Sequence, residues 1–506
     1  GGALAITIPR TGGGASVAVG AAAAINHLTN QFTATIANSD VDASGPVSVV
    51  AESMGAIDSF SLGIAGSVGV ASGVAVAVAG AGSGSANLLE NTIVATITGD
   101  SEVTSDQTLT VHAEDRAFIV ADAGSVGVSV GVAGGSSVTI AVGVSVGVNE
   151  IRNNVIATAS GDQLTGLAGI TVEADASSEI DALTFAGSGS VAIGSGGIAF
   201  AGAGAGTRNI VNFNVQALVN DATAVDAGSG QLVVQAKDKS HIKADSGSVA
   251  IGVGVGSTFA VAGAAGAAVA LNDIGGSSIQ FHGQLATSRE LETGDAVVYH
   301  SGGGTPVGGL VDGRTYYVIK LDNNSIRLAA SKDEATGAKR GPVNEHGDDD
   351  EIADDLFPNP MTLDPLTATA EGHSFTVSKN GSSLTFDAAD VAHGLVKAAI
   401  INSDVNRAAG VQVNAESTST LDSFALGIGG SVSVGTFTGV AVGGAGGYAG
   451  NLIGTTIEAL IEDSHVTSNG RVDVTATDRS SIVSDGGGAG FGVGVGLTAV
   501  TAAFGL

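Results

Sequence analysis

The sequence predicts an all-β protein, a β-solenoid of Gly/Val-rich repeats of about 61 residues with one small β-domain inserted. Three observations predict it. Val alternates with Gly, Ala or Ser at period two through residues 61–87, which is strand spacing and not helix spacing. An asparagine closes each such stretch, at Asn26, Asn87, Asn149, Asn209, Asn272 and Asn451, with gaps of 61, 62, 60, 63 and 179 residues. The Ala of a V-x-V-x-A phrase, at Ala51, Ala113, Ala174, Ala236, Ala415 and Ala476, keeps the same spacing. The last asparagine gap exceeds one period by about 118 residues, so one repeat is interrupted.

Each period has the same order of elements. In the first complete one, residues 32–36 (FTATI) alternate as a strand, 38–45 (NSDVDASG) carry turn chemistry, and 47–51 (VSVVA) form a second strand. A charged corner follows, then residues 56–60 and two Gly-rich strands broken at 71–73. Val68, Val70, Val74, Val76 and Val78 are expected to line the inside of the coil. The opposite face, only Gly, Ala and Ser, is expected to be smooth enough for neighbouring molecules to approach closer than the usual ~10 Å between sheets.

The corner also shows a doubled period. Asp58, Asp181 and Asp422 follow the marker Ala by seven positions, and Asp122, Asp245 and Asp485 by nine. Alternate repeats add an acid-base pair, Asp115-Arg116, Asp238-Lys239 and Asp478-Arg479. Staggering relieves the repulsion of like charges stacked at strand separation.

The chain divides into repeats at 1–276, an insert at 277–394 and further repeats at 395–506. The insert holds five of the seven prolines, three of the four tyrosines and eight of the nineteen Lys and Arg. It reads as a separate β-domain with strands near 295–299, 316–320, 325–328, 375–378 and 384–386, the last two joined by an Asn-Gly hairpin. The sequence opens and closes within Gly-rich stretches and reads as a segment of something longer.

The phrases AVAGAGSGSANLLENTIVATI and VSVGVNEIRNNVIATA resemble the repeats of very large bacterial surface proteins, the leukotoxin-like filamentous adhesins. The insert, from LETGDAVVYHSGGG to DGRTYYVIKLDNNSIRLAA, resembles a small β-domain that recurs in giant bacterial surface and fibre proteins. The resemblance implies an extracellular or cell-surface location and a role in adhesion or surface fibres.

Composition narrows the partners. A net charge of −30 repels nucleic acid and anionic lipid, and 4% aromatic residues cannot supply the girdles of a membrane barrel. Cysteine is absent, which excludes disulfides and thiol chemistry. Asn26, Asn87, Asn149, Asn209, Asn272 and Asn451 read as a structural ladder, each bonding its equivalent one repeat away. Asp348, Asp349, Asp350, Glu351, Asp354 and Asp355 form an acidic loop and are the calcium candidates by charge density, with a plain acidic loop as the competing reading. No catalytic constellation is legible, since the histidines are scattered and the Gly-x-Gly phrases belong to repeats.

The expected function is structural and non-catalytic: an extracellular bacterial rod or filament that self-associates into an elongated fibre and meets a glycan or a cell-surface receptor, without membrane insertion. A polysaccharide-degrading β-helix enzyme is the competing function.

Overall fold

The computed structural model describes residues 1–275, 278–281, 291–307, 309–320, 325–336, 372–379, 382–392 and 394–506. Strands dominate, and the one described α-helix, Lys332–Thr336, lies in the insert. No described helix is long and apolar enough to cross a membrane.

The all-β class stands, but the β-solenoid does not. The strands form one 18-stranded parallel sheet, a 6-stranded parallel sheet of short strands, and a closed antiparallel barrel. A solenoid coil needs short strands separated by corners. Here Thr108–Ala133 runs 26 residues through Asp115-Arg116 and Asp122, and the strand that begins at Gly169 runs on through Asp175 and Asp181, positions where charged corners were expected; in the other repeats the strand is interrupted there for only two residues, at 54–55, 239–240, 418–419 and 479–480. Asp58, Asp122 and Asp181 accordingly lie within strands. Alternation in these segments is unbroken, and the backbone has no reason to turn where the side chain is merely charged.

The repeat sets the register of the large sheet. Ala75–Thr98 pairs in parallel with Gly14–Ala37 before it and Ser136–Ala159 after it, asparagine opposite asparagine. Each repeat folds back at a short turn such as 72–74, so that a first Gly-rich arm lies against a second. The approach is backbone to backbone. A Cβ added at Gly127 would come within 2.5 Å of the Val142 carbonyl oxygen, one at Gly252 within 2.6 Å of that of Gly263, and one at Gly63 would overlap that of Gly82.

This contact reverses the expected sidedness. Ala65, Ser67, Gly69, Ala75, Ala77 and Ala79 are buried between the arms, whereas Val68, Val70, Val74, Val76 and Val78 point outward. The smooth faces are therefore spent within the chain and are not available to neighbours. Two layers this close leave no room for valine.

Beyond the arms the layers diverge around an aliphatic core. Leu89, Ile93 and Ile97 come from Ala75–Thr98, Leu109, Val111 and Ile119 from Thr108–Ala133, and Val103 from the short strand Glu102–Ser105. All are fully buried. The short strands, Asp40–Ala43, Glu102–Ser105, Gln163–Gly166, Val225–Asp226, Asp404–Arg407 and His465–Val466, make the third wall. The turn into this wall needs a left-handed residue, supplied by Asn38 (φ 47°), Gly99 (φ 70°), Asp221 (φ 53°), Asn402 (φ 47°) and Asp463 (φ 47°).

The insert interrupts one strand. Asn272–Ile274 and Gly394–Ile401 lie on the same neighbouring strand, opposite Asn209–Val211 and Asn214–Asn220. The two ends meet where Gly394 N–H donates to Gly275 O at 2.9 Å, and Gly275 takes φ 73° to make the exit. The barrel strands are Ser278–Phe281, Ala296–His300, Thr315–Lys320, Ser325–Ala329, Ser374–Lys379 and Ser382–Ala392. Tyr299, Tyr316, Phe375 and Val318 fill its centre. Arg327 of the barrel pairs with Asp273 beside the exit point, and burial, then the Arg327 charge, pushes the nearby Arg208 guanidinium down from its ordinary value.

Candidate functional site

Among the described residues, the groups of ligand-type side chains close enough to share an ion lie on the outer face of the aliphatic half, next to the marker alanines. Glu52, Glu114, Asp175, Lys237 and Glu416 each follow a marker Ala and stand side by side on five neighbouring strands. His112 and Glu173 occupy the outward position two residues earlier. Ligand atoms of His112, Glu173 and Asp175 lie within 4.8 Å of one another, as do those of Glu52, His112 and Glu114.

The protein's own cations compensate part of this column. Arg116 reaches Glu114 at 2.6 Å, and Lys237 donates to Glu173 at 2.9 Å with Asp175 at 3.9 Å. The His112 ring stands 3.7 Å from Glu114 and 3.8 Å from Glu173. Burial, reinforced by Glu173, pushes the Asp175 carboxyl up to about 6 against the opposing pull of Lys237. One imidazole with carboxylates is a donor set that suits a borderline divalent cation. As folded it is a cross-strand ladder in which Arg116, Lys237 and Arg479 compensate part of the charge of Glu52, Glu114, Glu173, Asp175 and Glu416.

Two further carboxylates lie inside. Asp115 and Asp238 face the core at one register position, separated along the sheet by Ala176 and followed by Ser417. Both are fully buried. Asp115 accepts from Asn91 Nδ2 at 2.7 Å, and Asp238 accepts from the hydroxyls of Ser240 and Ser419, each at 2.6 Å. Burial pushes both carboxyls up to about 6, against the hydrogen bonds that hold them down. In the sequence each adjoins a base, as Asp115-Arg116 and Asp238-Lys239. In fact the acid points in and Arg116 or Lys239 points out, because successive strand residues face opposite sides.

The asparagines are stacked at one register position. Asn26, Asn87, Asn149, Asn209 and Asn272 each donate Nδ2–H to the Oδ1 of the next, at 2.8, 2.7, 2.8, 2.8 and 2.9 Å, and Asn451 donates to Ser423 Oγ at 2.8 Å. Every amide is thereby engaged with protein, which suits a structural part. The staggered acids form a checkerboard on the outer face: Asp122 stands between Phe60 and Leu183, and Lys243 reaches Asp181 at 3.6 Å and Asp245 at 3.8 Å.

Asp348, Asp349, Asp350, Glu351, Asp354 and Asp355, the calcium candidates, lie outside the described residues. Sequence reasoning missed the His112 column, although the signal was present: the residue after each marker Ala is charged in five of the six repeats. A scan against protein-family models finds none that matches the chain, and searches of curated proteins and of solved structures find no match either.

Proposed function

We propose that the chain is a structural, non-catalytic module of an extracellular bacterial surface fibre, with adhesion as its use. The observation that supports this reading best is how its chemistry is distributed. Among the described residues the charges of the large sheet recur at equivalent positions of successive strands, as in the column Glu52, Glu114, Asp175, Lys237 and Glu416, with ion pairs such as Glu114-Arg116 and Glu173-Lys237 beside it. A column repeated along a sheet builds length. The surface phrases that resemble bacterial adhesin repeats support the location.

The polysaccharide-degrading alternative needs two carboxylates flanking one glycosidic bond, one of them free to protonate the leaving oxygen. Asp175, whose carboxyl is raised to about 6 beside Glu173, best meets this description, so the test includes it. The protein is incubated with acidic and neutral glycans while native material is imaged by electron microscopy and intact cells are labelled with antibody. Surface-labelled fibres without new reducing or unsaturated sugar ends are expected. Product formation lost in Asp175→Asn would overturn the proposal, and so would label confined to the cell interior.

A further inference from the structure

The outward row two residues before the charged column departs from an uncharged pattern on two adjacent strands. Across six neighbouring strands it reads Val50, His112, Glu173, Gln235, Asn414 and Thr475. The row beside it reads Glu52, Glu114, Asp175, Lys237, Glu416 and Thr477. One imidazole therefore stands in these two rows, directly opposite Glu173, with Asp175 two residues further along the strand of Glu173. Building the sheet requires neither His112 nor Glu173, since uncharged side chains serve on the other four strands.

The geometry suits one ion. His112 Nδ1 lies 3.8 Å from Glu173 Oε2, and one ligand atom each of His112, Glu173 and Asp175 lies within 4.8 Å of the other two. Bonds of about 2.0–2.2 Å put two ligand atoms of one ion at most about 4.4 Å apart, so small side-chain rotations suffice. The three side chains are 19%, 25% and 24% exposed, which lets water complete the coordination. The Oδ1 atom of Asp175 is itself buried and accepts no hydrogen bond, because the Lys237 ammonium at 3.9 Å stands too far away to donate. A buried carboxylate oxygen without a donor is costly unless a cation meets it. The other ring nitrogen, Nε2, faces Glu114 Oε2 at 3.7 Å, the side on which a metal-binding imidazole commonly meets a carboxylate.

We propose that His112, Glu173 and Asp175 bind one borderline divalent cation of the zinc class, which bridges two successive repeats on the outside of the large sheet. One nitrogen with two carboxylate oxygens suits such an ion better than calcium, whose sites use oxygen alone. The second triad, Glu52, His112 and Glu114, shares the same ring, and a neutral imidazole offers its lone pair on one side only. On that side Arg116 holds Glu114 at 2.6 Å and Glu52 is exposed, so the Glu173 side is the one that binds. Lys237 donates to Glu173 Oε1 at 2.9 Å, which leaves Oε2 for the ion and sets a positive charge against it. The site does not depend on adhesion and stands or falls separately from the proposed function.

The test strips the full chain with a chelator and titrates it calorimetrically with zinc chloride at neutral pH. One equivalent should bind, and the melting temperature should rise on loading. His112→Gln and Asp175→Asn should each weaken binding by about tenfold or more. Lys237→Gln removes the competing charge and should tighten it. Circular dichroism of each metal-free variant separates a lost ligand from lost folding. A wild-type chain that takes up no zinc below the millimolar range would overturn the proposal. So would zinc binding indifferent to His112→Gln, or calcium bound as tightly as zinc, either of which would assign uptake to surface carboxylates in general. Weaker zinc binding in a folded Lys237→Gln chain would overturn it too, because the lysine would then organise the cluster instead of competing with an ion.

Discussion

The two halves of each repeat share one parallel register and use opposite strategies to hold two layers together. In the aliphatic half, large side chains such as Leu89, Leu109 and Ile119 point inward and charged ones such as Glu114 and Lys237 point outward. In the Gly-rich half, Gly, Ala and Ser point inward, and Val and Phe point outward. The first half is held by removing apolar area from water, at roughly 25 cal/mol per Å². The second is held by many close contacts between backbones, each worth only about 0.1–0.2 kcal/mol. Apolar alternation thus fixes a strand without fixing which side is the core.

The comparison can be broken at several points. Leu109→Ala leaves a cavity in the aliphatic half and should cost about 2–5 kcal/mol by denaturant unfolding. The corresponding truncation on the Gly-rich half, Val144→Ala, removes an outward side chain and should stay within about 0.5 kcal/mol. Equal losses at the two sites would refute the assigned sidedness. The reverse experiment adds atoms. Gly127→Ala places a methyl carbon against the Val142 carbonyl between the arms and should cost about 1–3 kcal/mol, although alanine is the better strand residue in isolation. A neutral result would mean that the arms lie further apart.

The smallest effect concerns the charge that the aliphatic half does bury. Asp115 and Asp238 have carboxyls raised to about 6, above the ordinary value of 3.8, so the folded chain binds protons that the unfolded chain has already released. Stability should therefore increase as pH falls from about 7 to about 4, reversing the usual loss with acid for these two groups. It should be lowest above their folded pKa. Asp238→Asn keeps the shape and an acceptor for Ser240 and Ser419, and should raise the melting temperature at pH 7 while flattening part of this dependence. A melting temperature that falls on acidification in the wild type, with the variant parallel to it, would show that these carboxyls ionise freely.

Much of the register was legible. The gaps between Asn26, Asn87, Asn149, Asn209 and Asn272 are the offsets at which the strands pair, because parallel stacking of equal repeats puts equivalent residues opposite each other. The gap to Asn451 located the insert, and Asn38 with its equivalents marked the left-handed turn. The architecture was not legible. Asp58 and Asp122 looked like corners because charge interrupts an apolar run, yet a strand with one wet face accepts an outward Asp without bending. The candidate column at His112 was hidden for a different reason. Its members Glu52, Glu114 and Asp175 are a full period apart, and only pairing makes them neighbours.

The sequence by itself determined that the chain is β, where its period begins, which residues share a register position, and which stretches carry no charge. These follow from local alternation and from repetition, both of which are one-dimensional. Only the tertiary structure decided that Val faces outward in the Gly-rich arms, that Asp115 and Asp238 face the core, and that Thr108–Ala133 carries its charged residues without a corner. The physical reason is that an alternating strand reads the same when its faces are exchanged. The distance between two layers breaks that symmetry, and that distance depends on both layers at once: where Gly63 meets Gly82 nothing larger fits, and where Leu89 is enclosed beside Leu109 nothing smaller would fill the space.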